Sequence, residues 1–455
     1  MASDDGESLY ERALAGLQRG AQGLPALPPP RASASVVPWR SQAAGSGVEV
    51  YWVKRSEELS FMGGWHAFPG GGLASGDAAV PVAAGPRGLG LGPAAAGLPE
   101  ALRGAVETVG PDDLPGLAAC AARELFEETG ILLARPEGAK GAASERPPAK
   151  AGWPGETAAA QRAVLAREQT FAAALAGLGV VVDASPLVYA GRWMTPPFSP
   201  LRFDNRFFLL EWPPEAVVQP RVAPGELESG EWIDPRDAYE RWRRGEVLAA
   251  PPILHFLRVL AEDGPRAGLP RLLDPVETNL GPFRRIELRP GVLLFPLAVQ
   301  TLPPATTTNA YLLGFGEAVL VDPGASSEAE IERLERALAA ASDQLGRRVT
   351  AIWLTHHHPD HVGGVARLRA TLGIPVRAHR LTAERLAARG IPVDGELSDG
   401  ERVTLAAAPP HPAMTVRVVH TPGHARGHLC FFEEAGGSLL AGDMVAGLGM
   451  IVVDP

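Results

Sequence analysis

The sequence predicts two consecutive domains of mixed α/β or α+β class that meet near residue 280. The chain has 455 residues, which is more than one ordinary domain contains. Hydrophobic residues make up 46% and charged residues 21%, as in globular proteins, so a disordered or fibrous chain is excluded. Helix-like and strand-like runs alternate in both halves. We expect an N-terminal extension (1–29), a first domain (30–262), a linker rich in Gly and Pro (263–284) and a second domain (285–455).

Charge and cysteine content restrict the partners and the compartment. A net charge of −10 argues against nucleic-acid binding by the whole surface, although a local basic groove would be compatible with it. Two cysteines cannot form a disulfide framework, and reducing cytosol is the simplest compartment. The acidic N-terminal stretch lacks the apolar core of a signal peptide, and no apolar run reaches the roughly 18 residues that span a membrane. The composition therefore predicts a soluble cytoplasmic protein without a membrane partner.

The first domain begins with strand signals and a glycine-rich turn. Val48 to Lys54 is rich in β-branched and aromatic residues, which favour a strand, and the turn FPGGGL follows. A segment rich in Ala, Gly and Pro, residues 74–116, precedes a helix from Leu117 to Thr129 that Gly130 ends. Further helices are predicted at 157–176 and 236–244, and strands at 187–189 and 205–211.

Three glutamates share one face of the helix that ends at Gly130. Glu124, Glu127 and Glu128 have the spacing i, i+3 and i+4, so their like charges repel. A divalent metal with oxygen ligands would compensate that repulsion, and Mg²⁺ is the default for such ligands. Arg123 can orient a carboxylate through its guanidinium. A solvated acidic helix face is the alternative interpretation.

The segment RELFEETGI (123–131), together with FPGG (68–71), resembles the Nudix box and its glycine loop. The resemblance covers about residues 30–262. It implies an α/β/α sandwich that hydrolyses nucleoside diphosphate derivatives with Mg²⁺ or Mn²⁺. The implied roles are metal ligands for Glu127 and Glu128, metal ligand or base for Glu124, positioning for Arg123, substrate contact for Gly70 and Gly71, and a fourth-ligand candidate in Glu226.

The inserted segment 74–116 departs from that family's pattern. The uninterrupted box has a glutamate eight residues before its arginine, and Pro115 holds that position here. A similar interruption occurs in the coenzyme A–type Nudix branch, which makes a CoA-like molecule one expected substrate. The alternative is a non-catalytic ligand-binding module that directs the second domain.

The second domain places most of its histidines after one buried strand. Nine of the eleven histidines follow Val349, and four lie in the run from Thr355 to His361, directly after VTAIWLT. Pro359 predicts that no regular helix runs through them. Imidazole and carboxylate ligands suit zinc. Further along, His424 follows the strand VRVVH and Asp443 follows another apolar strand.

The motif HxHxDH, with the later histidine and aspartate, resembles the metallo-β-lactamase superfamily over about residues 290–455. It implies an αββα sandwich that holds up to two Zn²⁺ and activates a water. Asp322 in VLVDPG, with Asn309 and Tyr311 before it, also matches. The implied roles are His356, His358 and His424 for the first metal, Asp360 and His361 for the second, Asp443 as bridge, Asp360 as proton acceptor, Asp322 as an orienting residue and His428 as a substrate contact.

An aspartate at the bridging position resembles the thioesterase, glyoxalase II and RNase branches, and the tail AGDMVAGLGMIVVDP resembles the lactamase β-like protein 2 branch. A small-molecule phosphate or thioester is therefore the expected substrate, and RNA is the alternative. The oligomeric state is not predicted. The family's pattern ends with one more histidine, and none follows Asp443. We therefore expect an incomplete sandwich, from a fragment or a truncated product.

Overall fold

The chain divides into two compact units in the computed structural model. Residues 29–195 and 201–277 form the N-terminal unit, and the residues from 278 onward form the C-terminal unit. Both units mix helices and strands, which confirms the predicted fold class. The structure describes residues 29–42, 47–88, 113–138, 154–195, 199, 201–213, 219–223, 225–301, 305–325 and 327–445.

Several predictions concern residues outside these ranges. The N-terminal extension up to residue 28, most of the inserted segment (89–112) and the apolar run 450–453 all lie outside the described residues. No helix among the residues that the structure does describe is long and apolar enough to cross a membrane. Cys120 and Cys430 are both buried and free, and a cytoplasmic location stays a prediction.

The N-terminal unit is built on one large mixed sheet with the strand order β11-β3-β2-β1-β9-β8, to which β10 and β4 add at β2 and β1. β5, β7 and β6 form a second, small sheet. Its elements are β1 (Arg31–Ser41), β2 (Val48–Arg55), β3 (Trp65–Ala67), β4 (Gly70–Gly72), β5 (Val82–Ala84), α1 (Asp113–Thr129), β6 (Ala134–Pro136), α2 (Pro154–Leu165), α3 (Phe171–Gly177), β7 (Val180–Asp183), β8 (Leu187–Met194), β9 (Phe203–Glu211), β10 (Leu227–Ile233), α4 (Pro235–Arg243), β11 (Leu248–Ala249), α5 (Pro251–Glu262), α6 (Gly264–Ala267) and α7 (Leu269–Leu273).

Helices pack on both faces of the large sheet. Ala34 and Val36 of β1 belong to the buried cluster that contains α1, whereas Val37 and Trp39 belong to the cluster that contains α5. Successive side chains of a strand point to opposite faces, so β1 supplies both cores. The predicted helix at 157–176 is two helices, because Thr170 caps the second by accepting a hydrogen bond from the Ala173 amide.

The predicted linker 263–284 contains helices. α6 and α7 each begin with a proline near the N-terminus, a position where the missing N–H costs nothing. Leu272 of α7 is completely buried in the core shared with α5. The backbone of this leucine approaches β8 closely: a Cβ added to Gly191 would lie 2.4 Å from the Leu272 carbonyl oxygen. Gly and Pro here start short packed helices.

The C-terminal unit stacks two sheets. A seven-stranded sheet has the order β14-β15-β16-β17-β18-β19-β20, and a four-stranded sheet has the order β21-β22-β23-β24. Its elements are β12 (Asn279–Leu280), β13 (Phe283–Arg284), β14 (Ile286–Arg289), β15 (Val292–Ala298), β16 (Thr307–Leu313), β17 (Glu317–Val321), α8 (Glu328–Leu345), β18 (Arg348–Trp353), α9 (Pro359–Val362), α10 (Val365–Leu372), β19 (Val376–Ala378), α11 (Arg380–Ala387), β20 (Gly395–Glu396), β21 (Arg402–Leu405), β22 (Met414–His420), β23 (Leu429–Glu433) and β24 (Ser438–Leu440).

Two cores hold these layers together. Trp353 of β18 and Phe431 of β23, whose ring centroids are 5.2 Å apart, lie in the core between the two sheets. Ile352, the neighbour of Trp353, points to the other core, under α8 and α10. His356 to His358 lie outside any helix, as predicted from Pro359, but Asp360 and His361 lie in a helix, which was not predicted. Pro359 occupies the first position of the one-turn helix α9, where proline is favoured.

The close approach of Gly191 to α7 predicts a strong effect of substitution. Gly191 has φ +115°, and alanine there would meet the Leu272 carbonyl. We expect Gly191→Ala to lower the free energy of unfolding of the N-terminal unit by about 3 kcal/mol. Urea unfolding followed by hydrogen exchange of peptides from this unit measures the change. Gly177→Ala, at an open and exposed helix end, is the matched control and should change stability by less than about 1 kcal/mol.

Candidate metal sites

The glycine turn of the N-terminal unit lies against the glutamate-bearing helix. Gly70 and Gly71 of β4 pair with Ser35 and Ala34 of β1. A Cβ added to Gly70 would lie 2.4 Å from the Ala34 carbonyl oxygen, and one added to Gly71 would lie 2.5 Å from Glu124 Oε1. Only glycine fits at position 70, where the obstacle is backbone, whereas a side chain at position 71 would require the Glu124 carboxylate to shift.

Arg123 ties the turn to the helix. Its Nε and Nη2 donate to the two carboxylate oxygens of Asp77 at 2.7 and 3.0 Å, and Nη2 also donates to the Gly72 carbonyl at 2.9 Å. Nη1 donates to Glu124 Oε1 at 2.7 Å and to Glu127 Oε2 at 3.4 Å. One guanidinium thus fixes two of the three predicted carboxylates, as its fork geometry allows.

Asp77 is a site residue that the sequence analysis missed. It is almost fully buried, and its Oδ2 also accepts a hydrogen bond from the Ala74 amide at 2.8 Å. Pro115, which holds the position of the glutamate in the uninterrupted box, lies exposed in the first turn of α1. The acid that pairs with Arg123 is Asp77, which lies within the inserted segment 74–116. The sequence feature that could have identified Asp77 is its position, six residues after Gly71 and at the start of the inserted segment.

Burial and the repulsion between their charges raise the pKa values of the three glutamates, which disfavours their ionised forms. Burial raises the pKa of Glu124 to about 7, although Arg123 opposes the shift. Burial also raises the pKa of Glu127, and it raises that of Glu128 well above its ordinary value. The charge of Glu226, the fourth-ligand candidate, contributes to both of these shifts. A cation among these carboxylates would relieve the repulsion.

Two more contacts define the surroundings of Glu128. The Gly70 amide donates to Glu128 Oε2 at 2.9 Å, and this hydrogen bond and the positive charge of Arg55 both oppose the rise in the pKa of this carboxyl. Arg55 Nε is buried and has no hydrogen-bond partner among the described residues. Ser56, its neighbour, donates its amide to the Glu226 carbonyl at 2.9 Å, so the end of β2 and the loop before β10 lie side by side. Sequence reasoning did not single out Arg55.

In the C-terminal unit, three segments that follow strands bring the predicted ligands together. His424 Nε2 lies 2.8 Å from His358 Nδ1 and 3.2 Å from His356 Nε2. Asp443 Oδ2 lies 3.5 Å from His424 Nε2 and 4.0 Å from His356 Nε2. One ligand atom from each of these four residues lies within 4.8 Å of every other. This is the distance range of ligands around one metal ion.

A second group shares Asp443 with the first. Asp443 Oδ1 lies 3.2 Å from His361 Nε2, which lies 4.0 Å from Asp360 Oδ2. In the described part of the chain, groups this compact occur only at these two places, and the three glutamates of α1 do not form a third. Asp443 therefore has one oxygen towards each group, as a bridging ligand requires.

Asp322 orients the histidines from outside the two groups. Its Oδ1 accepts the Thr355 amide at 2.8 Å, and its Oδ2 accepts the Thr355 hydroxyl at 2.6 Å and His361 Nδ1 at 2.9 Å. Thr355 Oγ1 in turn lies 2.9 Å from His356 Nδ1. Both rings use Nδ1 for these contacts, so their Nε2 atoms face the ligand groups. Asp322 has φ +50°, a backbone conformation that a non-glycine residue seldom adopts.

The electrostatics favour a neutral imidazole at His356 and His358 and an ionised carboxylate at the bridge. Burial, together with the charges of neighbouring histidines, lowers the pKa of His358 to about 2 and that of His356 well below its usual value. Although burial raises the pKa of Asp443, the charge of His361 holds it far below the ordinary range. Metal ligation needs neutral histidine and ionised carboxylate, so His356, His358 and Asp443 fit a divalent cation. His361 differs: although burial opposes the shift, the charges of Asp443, Asp360 and Asp322 raise its pKa well above the usual value, so a cation there would have to displace a proton.

Asp360 is held by hydroxyl groups and still has a free oxygen. Thr301 Oγ1 donates to Asp360 Oδ2 at 2.6 Å, and Thr308 Oγ1 donates to its carbonyl at 2.7 Å. Asp360 Oδ1 is buried without a hydrogen-bond partner among the described residues. Gly324 packs so tightly on this segment that an added Cβ would lie 1.7 Å from the Asp360 carbonyl oxygen. A buried carboxylate oxygen without a donor is where a cation fits.

His428 differs from its predicted role. The sequence analysis expected it to contact substrate, but its side chain is completely buried and stacks on His356, with ring centroids 5.2 Å apart. Its Nδ1 lies 2.9 Å from the Thr421 hydroxyl. A Cβ on Gly442 would lie 2.7 Å from its Nε2, so the ring also fills the space under the loop of Asp443. This position supports His356.

The pairing of the partly buried Arg123 with the buried Asp77 predicts that Asp77 stabilises the N-terminal unit. Asp77→Asn removes the charge that pairs with Arg123, while Glu124 remains as a partial partner. We expect a loss of about 2 kcal/mol in the free energy of unfolding, less than a fully broken buried pair costs. Urea unfolding of the full chain tests it. Asp237→Asn, at an exposed position of α4, is the control, and an equal loss in both variants would contradict the role of the Arg123 pair.

Comparison with known families assigns each unit a match. Residues 30–260 match the family model described as NUDT19 Nudix domain. Residues 303–455 match the model described as Metallo-beta-lactamase superfamily. The two predicted resemblances are therefore confirmed.

Curated relatives are similar over part of the chain. This chain is 32% identical over 160 residues to the hydroxyacylglutathione hydrolase of Ruegeria pomeroyi. The matched segment is 34% of this chain and 54% of that protein. The lactamase-like protein adaB of Aspergillus niger is 32% identical over 193 residues, which are 42% of this chain and 52% of that protein. This chain thus spans about half the length of these relatives. A solved Nudix hydrolase from Alicyclobacillus acidocaldarius aligns with a TM-score of 0.40 and 29% identity, covering 52% of this chain and 93% of that one.

Proposed function

This chain belongs to the Nudix family through residues 30–260, and on that premise we propose that its N-terminal unit hydrolyses a nucleoside diphosphate derivative, CoA-like molecules included, with Mg²⁺ or Mn²⁺. The chain as a whole is a hydrolase with a Nudix domain and a metallo-β-lactamase-fold domain. The observation that carries the proposal is the Arg123 fork, which presents Glu124 and Glu127 beside the glycine turn. Divalent metal bound in either unit would supply charge neutralisation and a water of lowered pKa.

The side chains of the N-terminal unit would divide the work. Glu127 and Glu128 would hold the cation, with Glu226 as a further ligand. Glu124, whose pKa is raised to about 7, is suited to receive a proton near neutral pH. Arg55, with its buried Nε lacking a partner among the described residues, would pair with a phosphate oxygen of the substrate.

For the C-terminal unit we propose hydrolysis of a small-molecule ester or thioester with up to two Zn²⁺. Two compact ligand groups that share Asp443 support it. Hydroxyacylglutathione hydrolases among the relatives act, by their name, on an acyl conjugate of glutathione, and this supports an acyl substrate. His356, His358 and His424 would form one ligand set, and His361 with Asp360 the other. Thr301 holds Asp360 Oδ2, which leaves Oδ1 to accept a proton from the attacking water.

The N-terminal proposal predicts the effect of a charge-neutral substitution. Glu127→Gln keeps the shape and removes one ligand charge. We expect diphosphatase activity with Mg²⁺ on a panel of CoA, acyl-CoA and ADP-ribose to fall by at least about a hundredfold. Glu137→Gln, at an exposed turn after α1, is the control and should behave like the parent. A parent without activity on any nucleoside diphosphate would favour the alternative, a non-catalytic Nudix module that directs the C-terminal unit.

The two proposals also predict different metal requirements. Carboxylates dominate the first site and imidazoles the second, so a zinc-selective chelator should abolish thioester hydrolysis and spare Mg²⁺-dependent diphosphatase activity. His358→Ala should abolish the thioesterase activity, whereas His411→Ala, outside both ligand groups, should not. Cleavage of single-stranded RNA in place of thioesters would redirect the proposal to a nuclease. If zinc alone restored both activities after chelation, the assignment of two distinct sites would be wrong.

A further inference from the structure

The C-terminal end of α1 is held by groups from outside the helix. The last carbonyl groups of any α-helix lack partners within it. Here the Gly130 amide donates to the Phe126 carbonyl at 2.9 Å, the Ala223 amide approaches the Glu128 carbonyl at 3.4 Å, and the Arg221 amide donates to the Thr129 carbonyl at 2.9 Å.

One side chain completes this cap. Gln161 of α2 donates through Nε2 to the carbonyls of Phe126 and Glu127, both at 3.0 Å. Because both partners are carbonyl oxygens, the NH₂ end of the amide must face them. Gly130, at φ +71°, lets the amide approach: a Cβ there would lie 3.3 Å from Gln161 Oε1. Gln161 thus binds the peptide groups of the turn that carries Glu127 and Glu128.

We propose that Gln161 is a positioning residue for the metal site of the N-terminal unit. This inference rests on the proposed function of that unit. The side chains of Glu127 and Glu128 take their directions from the last helical turn, and a frayed turn would let them separate under their own repulsion. The two N–H donors also neutralise part of the negative end of the helix dipole, in the same turn that carries these two glutamates. Gln161 therefore acts on the ligands through the backbone.

The competing explanation is a purely structural one, in which Gln161 only attaches α2 to α1. Both explanations predict some loss of stability when the donors are removed. Only the positioning role predicts a change in metal affinity in the folded protein, because outer residues that orient ligands typically change affinity by about 10-fold to 100-fold.

Mn²⁺ binding to the full chain separates the two. Gln161→Met keeps the length of the side chain and removes both donors. Binding is measured by titration, and the fraction lost in Glu127→Gln defines the N-terminal site. We expect Gln161→Met to raise the Mn²⁺ dissociation constant of that site about tenfold and to lower kcat with little change in KM. Amides of residues 127–131 should also exchange faster in the metal-free protein. Gln169→Met, in the same region and outside the cap, should match the parent.

A second variant keeps the test decisive. If the Met variant fails to fold, Gln161→His, which keeps one N–H donor, should raise the dissociation constant about threefold. An unchanged dissociation constant in a folded Gln161 variant would overturn the positioning role. A parent that binds Mn²⁺ no better than Glu127→Gln would instead overturn the proposed function.

Discussion

Both sites depend on the same constraint. In each, several potential metal ligands lie close together with little access to solvent. His424 Nε2 lies within hydrogen-bond distance of nitrogen atoms of both His358 and His356, and a pair of imidazole nitrogens can share only one proton. Burial lowers the pKa of His356 and His358, so protonation of these two rings does not resolve the arrangement. A divalent cation does, because each nitrogen then donates its lone pair to the ion. In the N-terminal unit, the guanidinium of Arg123 provides part of this compensation for the glutamates.

Backbone groups that tolerate no added atom hold these clusters in position. Gly71 lets β4 pass beside Glu124, and Gly324 lets its loop press against the Asp360 carbonyl. Asp322 accepts its positive φ because its carboxylate gains three hydrogen bonds with Thr355 and His361. The two units thus share a structural feature. In each, a tight turn next to a strand end packs a polar group against a candidate metal ligand.

Local patterns predicted most elements, and long-range pairing explains the differences. The helix before Gly130 and the strand before His356 were predicted because periodicity and turn residues lie within one short window. Pro359 and the 263–284 segment were misjudged, since proline and glycine end some elements and start others, and burial decides which. Asp77 was missed because it lies 46 positions before Arg123 in the sequence. Sequence spacing alone cannot show that two residues so far apart are in contact.

The sequence by itself determined the types of ligand and their local order. Helical periodicity places Glu124, Glu127 and Glu128 on one face, and the short spacing of the histidine run keeps His356 and His358 together, because both depend only on the neighbouring backbone. Tertiary structure alone decided the remaining contacts: Asp77 on Arg123, Asp443 between its two ligand groups, and Gln161 on the end of α1. These contacts join loops and helices that are distant in the chain, and the pairing and packing of the sheets fix their distances.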